Sequence, residues 1–139
     1  MQDKKKLKLI KQLGIQVRKR VKKLNREVLD YELCWNSNLA GGCLMSSYML
    51  QYVLKKQGIK SKLIRGRCRD NYHWWLVIDN NIVDITATQF GVKERVYIIP
   101  SDHVQYKPGR RQSAGFGVWP KRMWPPLHVE FFEDIGTLA

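Results

Sequence analysis

Three residues of this chain are of the types that thiol-based acyl transfer needs, in the order Cys43, His73, Asp84. A cysteine nucleophile needs a base to take its proton and a third group to hold that base in one tautomer and orientation. Cys43 follows the pair Gly41-Gly42 and opens a stretch free of Gly and Pro as far as Gln57. At the first turn of a helix, unpaired backbone N–H groups and the helix dipole favour negative charge and lower a thiol pKa. His73 heads the run HWWLVID, where alternation sends His73, Trp75 and Val77 to one face and Trp74, Leu76 and Ile78 to the other. Asp84 interrupts the apolar run Ile82-Val83-Asp84-Ile85, where a carboxylate is out of place unless it has a partner. Each residue also has an ordinary reading: a small apolar thiol entering a core, a hydrogen-bonded structural imidazole, and a turn or edge carboxylate.

Positioning these groups requires a helix and a sheet. A helix is predicted over 43–57, closed by Gly58 just past its end, where a left-handed backbone is needed. Its residues Cys43, Ser46, Ser47, Leu50 and Leu54 share one face, and the two serines keep that face small for close packing on a sheet. Extended runs are predicted at 60–66, 73–79, 81–87 and 95–100. Only Asn80 and Asn81 separate the second from the core of the third, so those two strands form a tight antiparallel hairpin, with a register the sequence leaves open. Beyond Pro100, glycines, prolines, basic residues and Trp119 and Trp124 read as an irregular, aromatic-rich C-terminal segment over 101–139, ending in an acidic tail.

The chain of 139 residues, 44% hydrophobic, suffices for a single domain with one core. Its net charge of +13 is uneven: residues 1–28 hold eleven Lys or Arg against Asp3 and Glu27. In that stretch Ile10, Leu13, Val17, Val21, Leu24 and Val28 recur at steps of three and four, which predicts a basic amphipathic helix over 1–29. Such a helix can dock its stripe on the domain core, or its Lys/Arg-rich part, 4–26, can hold nucleic acid or another polyanion. No run approaches the roughly 20 apolar residues of a membrane span, and no secretory leader is evident. Three cysteines are too few for a disulfide scaffold, so a cytoplasmic protein with reduced thiols is expected.

The runs GGCLMSSYMLQYVLKKQGIKSKLIRGR and HWWLVIDNNIVDITATQFG together resemble the transglutaminase-like core of the papain-like cysteine-enzyme superfamily. The residues that carry the resemblance are Gly41-Gly42-Cys43, Ser46-Ser47, His73-Trp74-Trp75 and Val83-Asp84-Ile85-Thr86, within 38–91. The resemblance implies an α+β fold whose cysteine-bearing helix packs on an antiparallel sheet, with a catalytic core over 38–100. It also implies Cys43 as nucleophile, His73 as base and Asp84 as its orienting partner. An acyl-transfer site further needs donors for the oxyanion. The Cys43 backbone N–H is one candidate, and the side-chain amide of Asn38 or Asn36 is the other. Trp74 and Trp75 are candidates for the wall of a substrate pocket. The arylamine acetyltransferase branch wants an acidic residue soon after the cysteine, which Leu44-Met45 does not supply.

The expected activity is that of a cysteine-dependent amide hydrolase or acyl transferase on a protein or peptide substrate, with an acidic one suiting the charge, and with no cofactor or metal. Zinc on Cys34, Cys43, Cys68 and His73 is a rival without a Cys-x-x-Cys pair to support it. A second rival is a catalytically silent module that grips a polyanion through the N-terminal helix and Arg110, Arg111, Lys121 and Arg122, with Trp119 and Trp124 to stack on bases.

Overall fold

The computed structural model describes residues 3–24 and 43–113, and side chains within them over 3–22 and 46–109. Asn36, Asn38, Cys34, Trp119, Trp124, Lys121 and Arg122 lie outside the described residues. The fold is α+β: helices α1 (Lys4–Leu24) and α2 (Cys43–Lys56) precede strands β1 (Lys62–Cys68), β2 (Asn71–Ile78), β3 (Asn81–Asp84), β4 (Tyr97–Pro100) and β5 (Tyr106–Ser113). The strands form one antiparallel sheet in the order β4-β3-β2-β1-β5.

Helix α1 starts where Asp3 Oδ1 accepts the backbone N–H groups of Lys5 and Lys6, at 2.9 and 3.1 Å, an N-cap that satisfies two otherwise orphaned donors. Its stripe Ile10, Leu13, Val17 and Val21 is buried against α2 and the sheet, so the helix docks on the core and its lysines cover the outer surface. Gly14 sits in that stripe because α1 closely crosses the chain just after β3 and just before β4. A Cβ there would lie 2.7 Å from Val96 Cγ2 and 3.1 Å from Ile85 Cγ2. Helix α2 ends as its sequence requires, with Gly58 at φ 75° and bonds from Ile59 N to Leu54 O and from Gly58 N to Lys55 O.

Both hairpins turn on two residues with positive φ: Arg69 and Asp70 between β1 and β2, Asp79 and Asn80 between β2 and β3. The second turn falls one residue earlier than the Asn80-Asn81 connection read from the sequence. The strands likewise shift from their expected bounds: β1 runs to Cys68, β2 begins at Asn71, and β3 stops at Asp84, followed by a 3-10 turn over Ala87–Phe90. Within the segment read as irregular, β5 pairs with β1 along the edge of the sheet. Pro108 and Gly109 are tolerated there because an edge strand leaves one side of its ladder unpaired, and the pairing slips by a bulge between Ile64 and Gly66.

The pleat divides the sheet into two apolar faces. Leu63, Leu76, Ile78, Val83 and Ile85 pack with α1 and α2, whereas Ile64, Cys68, Trp75, Ile82 and Tyr106 form a second cluster on the opposite face.

Candidate active site

His73 and Asp84 meet on the second face. Leu76 pairs with Val83, a register that sets Asp84 diagonal to His73 across β2 and β3. His73 Nε2 lies 2.8 Å from Asp84 Oδ2, and both side chains are fully buried. The carboxylate is saturated by donors: the Tyr106 hydroxyl donates to Oδ2 at 2.7 Å, and the Thr86 backbone N–H and hydroxyl donate to Oδ1 at 2.9 and 3.1 Å. Burial works against its charge, but the hydrogen bond and charge of His73, with the donors Tyr106 and Thr86, outweigh it and hold Asp84 below the ordinary carboxylate range.

A buried carboxylate at Nε2 places the ring proton there and leaves the lone pair of the neutral imidazole on Nδ1. Gln89 Nε2, which donates to the Thr86 carbonyl at 3.1 Å, lies 3.4 Å from Nδ1, so the amide presents a donor to an acceptor. Phe90 meets the imidazole edge-on at 4.9 Å, and Trp75 stacks 6.0 Å away. The ring is held on every side that the described residues supply.

The direction of α2 follows from two hydrogen bonds. Ser47 Oγ reaches the Trp74 carbonyl at 3.4 Å, and Gln51 Nε2 reaches the Ser61 carbonyl at 3.3 Å, beside the β1 end that pairs with Val77. Helix α2 therefore runs along β2 from its His73 end towards Ile78. Cys43, its first residue, lies one turn before Ser47, on the side of Trp74 that continues to His73. The helix terminus that carries Cys43 therefore lies at the same end of the sheet as His73 and Asp84 but on the opposite face, the α2 side, whereas the pair sits with Trp75, Phe90 and Tyr106; the Cys43 side chain lies outside the described residues.

The other candidates fall on either side of the sheet. Trp75 is 1% exposed and meets Tyr106 edge-on at 5.1 Å; Trp74 is half-buried against the helical layer. Cys68 lies in the second cluster beside Tyr106, and burial pushes its thiol up to about 11, against the Tyr106 hydrogen bond that lowers it. Burial and the charge of Asp84 likewise push the Tyr106 phenol well above its usual value.

Four residues of this site were missed by sequence reasoning. Thr86 had a signal, since a hydroxyl two residues after a carboxylate in a chain leaving a strand makes the local turn seen here. Gln89 had none, and Tyr106 could not be assigned while its strand was unseen. Arg18 stands inside the apolar stripe of α1, 4% exposed, and donates to the Ile85 carbonyl and, at 3.2 Å, to Thr88 Oγ1 in the 3-10 turn. Burial lowers its pKa, Arg95 adds to that, and Asp84 opposes it.

Among the described residues, no three His, Cys, Asp or Glu side chains cluster as metal ligands, and no helix is long and apolar enough to cross a membrane. Comparison with known proteins finds no matching family model, no matching curated protein and no matching solved structure.

Proposed function

We propose that this chain is a papain-like, cysteine-dependent amide hydrolase or acyl transferase of the transglutaminase-like type, acting on a protein or peptide through Cys43, His73 and Asp84. The observation that carries the reading is the buried His73–Asp84 pair, with the carboxylate on Nε2, at the sheet end towards which α2 directs its N-terminus. Such a pair suits a general base, whose tautomer and imidazolium must both be held.

In this mechanism Nδ1 of His73 takes the Cys43 proton, and the thiolate attacks a carboxamide carbonyl carbon. The oxyanion is received by the Cys43 backbone N–H, with Asn38 or Asn36 as the side-chain donor. Collapse expels the amine or ammonia, which leaves with the proton from His73, and an acyl-thioester remains. Water then completes hydrolysis or deamidation, or an amine completes transamidation, with His73 again taking and returning the proton. Asp84 stays ionised throughout.

The test is the pH profile of iodoacetamide labelling at each cysteine, read by mass spectrometry on the full chain. Cys43 is expected to label with a midpoint well below the ordinary thiol value of about 8.5, and His73→Ala is expected to move that midpoint back up. A Cys43 midpoint at the ordinary value, indifferent to His73→Ala, would overturn the reading.

A further inference from the structure

On the helical face of the sheet, beyond the N-terminal end of α2, lies a cavity of about 440 Å³ lined by Arg65, Arg67, Tyr72 and Lys107 over a floor of Gly66 and Gly109. Its shape comes from the backbone. At the bulge between β1 and β5, a Cβ on Gly66 would lie 2.2 Å from the Lys107 carbonyl oxygen, and one on Gly109 would lie 2.8 Å from the Arg65 carbonyl oxygen. Two glycines therefore bring the strands together, and on the opposite face the Trp75 ring fills the space a Gly66 side chain would need, 2.7 Å from its Cβ position.

The walls are cationic and, among the described residues, uncompensated. Arg67 stands directly opposite Tyr72 on one side and Lys107 on the other, so one row across three strands reads Tyr72, Arg67, Lys107. Like charges directly opposite one another in a sheet repel. Among the described residues no ion pair joins Arg65, Arg67 or Lys107 to a carboxylate. Arg65 and Arg67 lean over the Tyr72 ring, at 5.4 and 5.0 Å from its centroid, and Arg67 also donates to the phenol oxygen at 3.4 Å. Tyr72, 69% exposed, thus holds both guanidinium groups over the opening instead of being buried itself. Pre-positioned guanidinium forks suit bidentate carboxylate recognition.

We infer that this cavity is the subsite for an acidic side chain of the peptide substrate, seating a Glu or Asp carboxylate on Arg65, Arg67 and Lys107 beside the Cys43 end of α2. The substrate assignment rests on the proposed function; the carboxylate binding does not. The observations favour an acidic peptide over a nucleic acid strand. The cations are gathered around one concavity, and the single exposed ring among them is already covered by two guanidinium groups, where a strand binder would offer open stacking surfaces along a groove.

The experiment is a ¹⁵N NMR titration of the full chain carrying Cys43→Ala, which cannot turn over, with a hexaglutamate peptide, a hexaglutamine peptide and a thymidine hexanucleotide. Hexaglutamate is expected to shift the Gly66 and Gly109 amides, and hexaglutamine to leave them in place. Arg67→Gln and Lys107→Gln, both at exposed positions, are each expected to weaken hexaglutamate binding by about twofold to fivefold, the loss of a solvent-screened ion pair, whereas the equally exposed Lys60→Gln, of equal charge change, leaves it unaltered. Equal weakening by Lys60→Gln, equal shifts with hexaglutamine, or tighter binding of the hexanucleotide at the same glycines would each overturn the inference. Iodoacetamide labelling separates the two claims: carboxylate binding with an ordinary Cys43 refutes catalysis alone, and a reactive Cys43 without carboxylate binding refutes the subsite alone.

Discussion

Tyr106→Phe removes one oxygen from the buried acid and keeps the ring that packs against Trp75. Asp84 Oδ2 then retains His73 at 2.8 Å and loses the hydroxyl at 2.7 Å, while Thr86 continues to serve Oδ1. A hydrogen bond to a charged group contributes roughly 1.5–3 kcal/mol. Asp84 is fully buried and Tyr106 only 4% exposed, so bulk water cannot replace the donor. The carboxylate is not orphaned, however, which argues for the middle of that range, about 2 kcal/mol at neutral pH. Linkage adds a signature. Asp84 has a folded pKa below its unfolded value of about 3.9. Its contribution is therefore complete above the unfolded value and is lost as pH falls through the folded one. Tyr106→Phe removes one of the causes of that depression and so raises the folded pKa. The gap between the two proteins should be about 2 kcal/mol near pH 7 and shrink towards the neutral hydrogen-bond range, about 1 kcal/mol or less, once Asp84 is protonated. Urea unfolding across that pH range measures it. A loss below about 0.5 kcal/mol, or one that does not vary with pH, would refute the charged network as the source.

Three further substitutions probe how the site is held. Gly14→Ala should destabilise the fold by about 1 kcal/mol in thermal melts, since overpacking of about 2 kcal/mol against Val96 and Ile85 exceeds the helix-propensity gain of about 1 kcal/mol, and Val96→Ala in the same chain should remove the clash. Gly66→Ala places its Cβ against backbone, which cannot rotate away, so β5 should separate from β1 and its amides lose hydrogen-exchange protection. Arg18→Met leaves the Ile85 carbonyl without its buried donor, at about 1–3 kcal/mol. It should also speed amide exchange over 86–89, the turn that carries Thr86 and Gln89.

The sequence was most legible where periodicity and chemistry agreed. The stripe of α1, the helix opened by Cys43 and closed by Gly58, and the hairpin that brings His73 to Asp84 all follow from spacing and turn residues. Strand β5 was hidden because Lys107, Pro108, Gly109 and Arg110 offer no alternation; what makes it a strand is the free edge of β1, a property of the sheet and not of the segment. Tyr106 was hidden with it. Arg18 carried no signal of its own, since nothing in a helical stripe says that a backbone carbonyl from a distant segment will arrive to accept its protons. Apart from Thr86, which turns locally on Asp84, the missed residues share one character: their role comes from a partner distant in sequence.

That distinction also decides how the two described cysteine positions differ. Cys68 is set in the apolar face beside Tyr106 and near the charge of Asp84, and its thiol is raised to about 11. At neutral pH only about one such thiol in ten thousand is ionised, and 1% exposure shields even that. Cys43 opens α2, and a helix N-terminus is a place where the backbone field favours a thiolate. The acid that would orient the base for Cys43 is one of the groups that keeps Cys68 protonated. One buried carboxylate thereby raises the Cys68 thiol while it holds the His73 imidazole in one orientation. Asp84→Asn should accordingly act in opposite senses, slowing labelling at Cys43 and easing it at Cys68 once the chain is opened enough to admit reagent. Equal slowing or equal acceleration at the two would show that the acid serves packing and not chemistry.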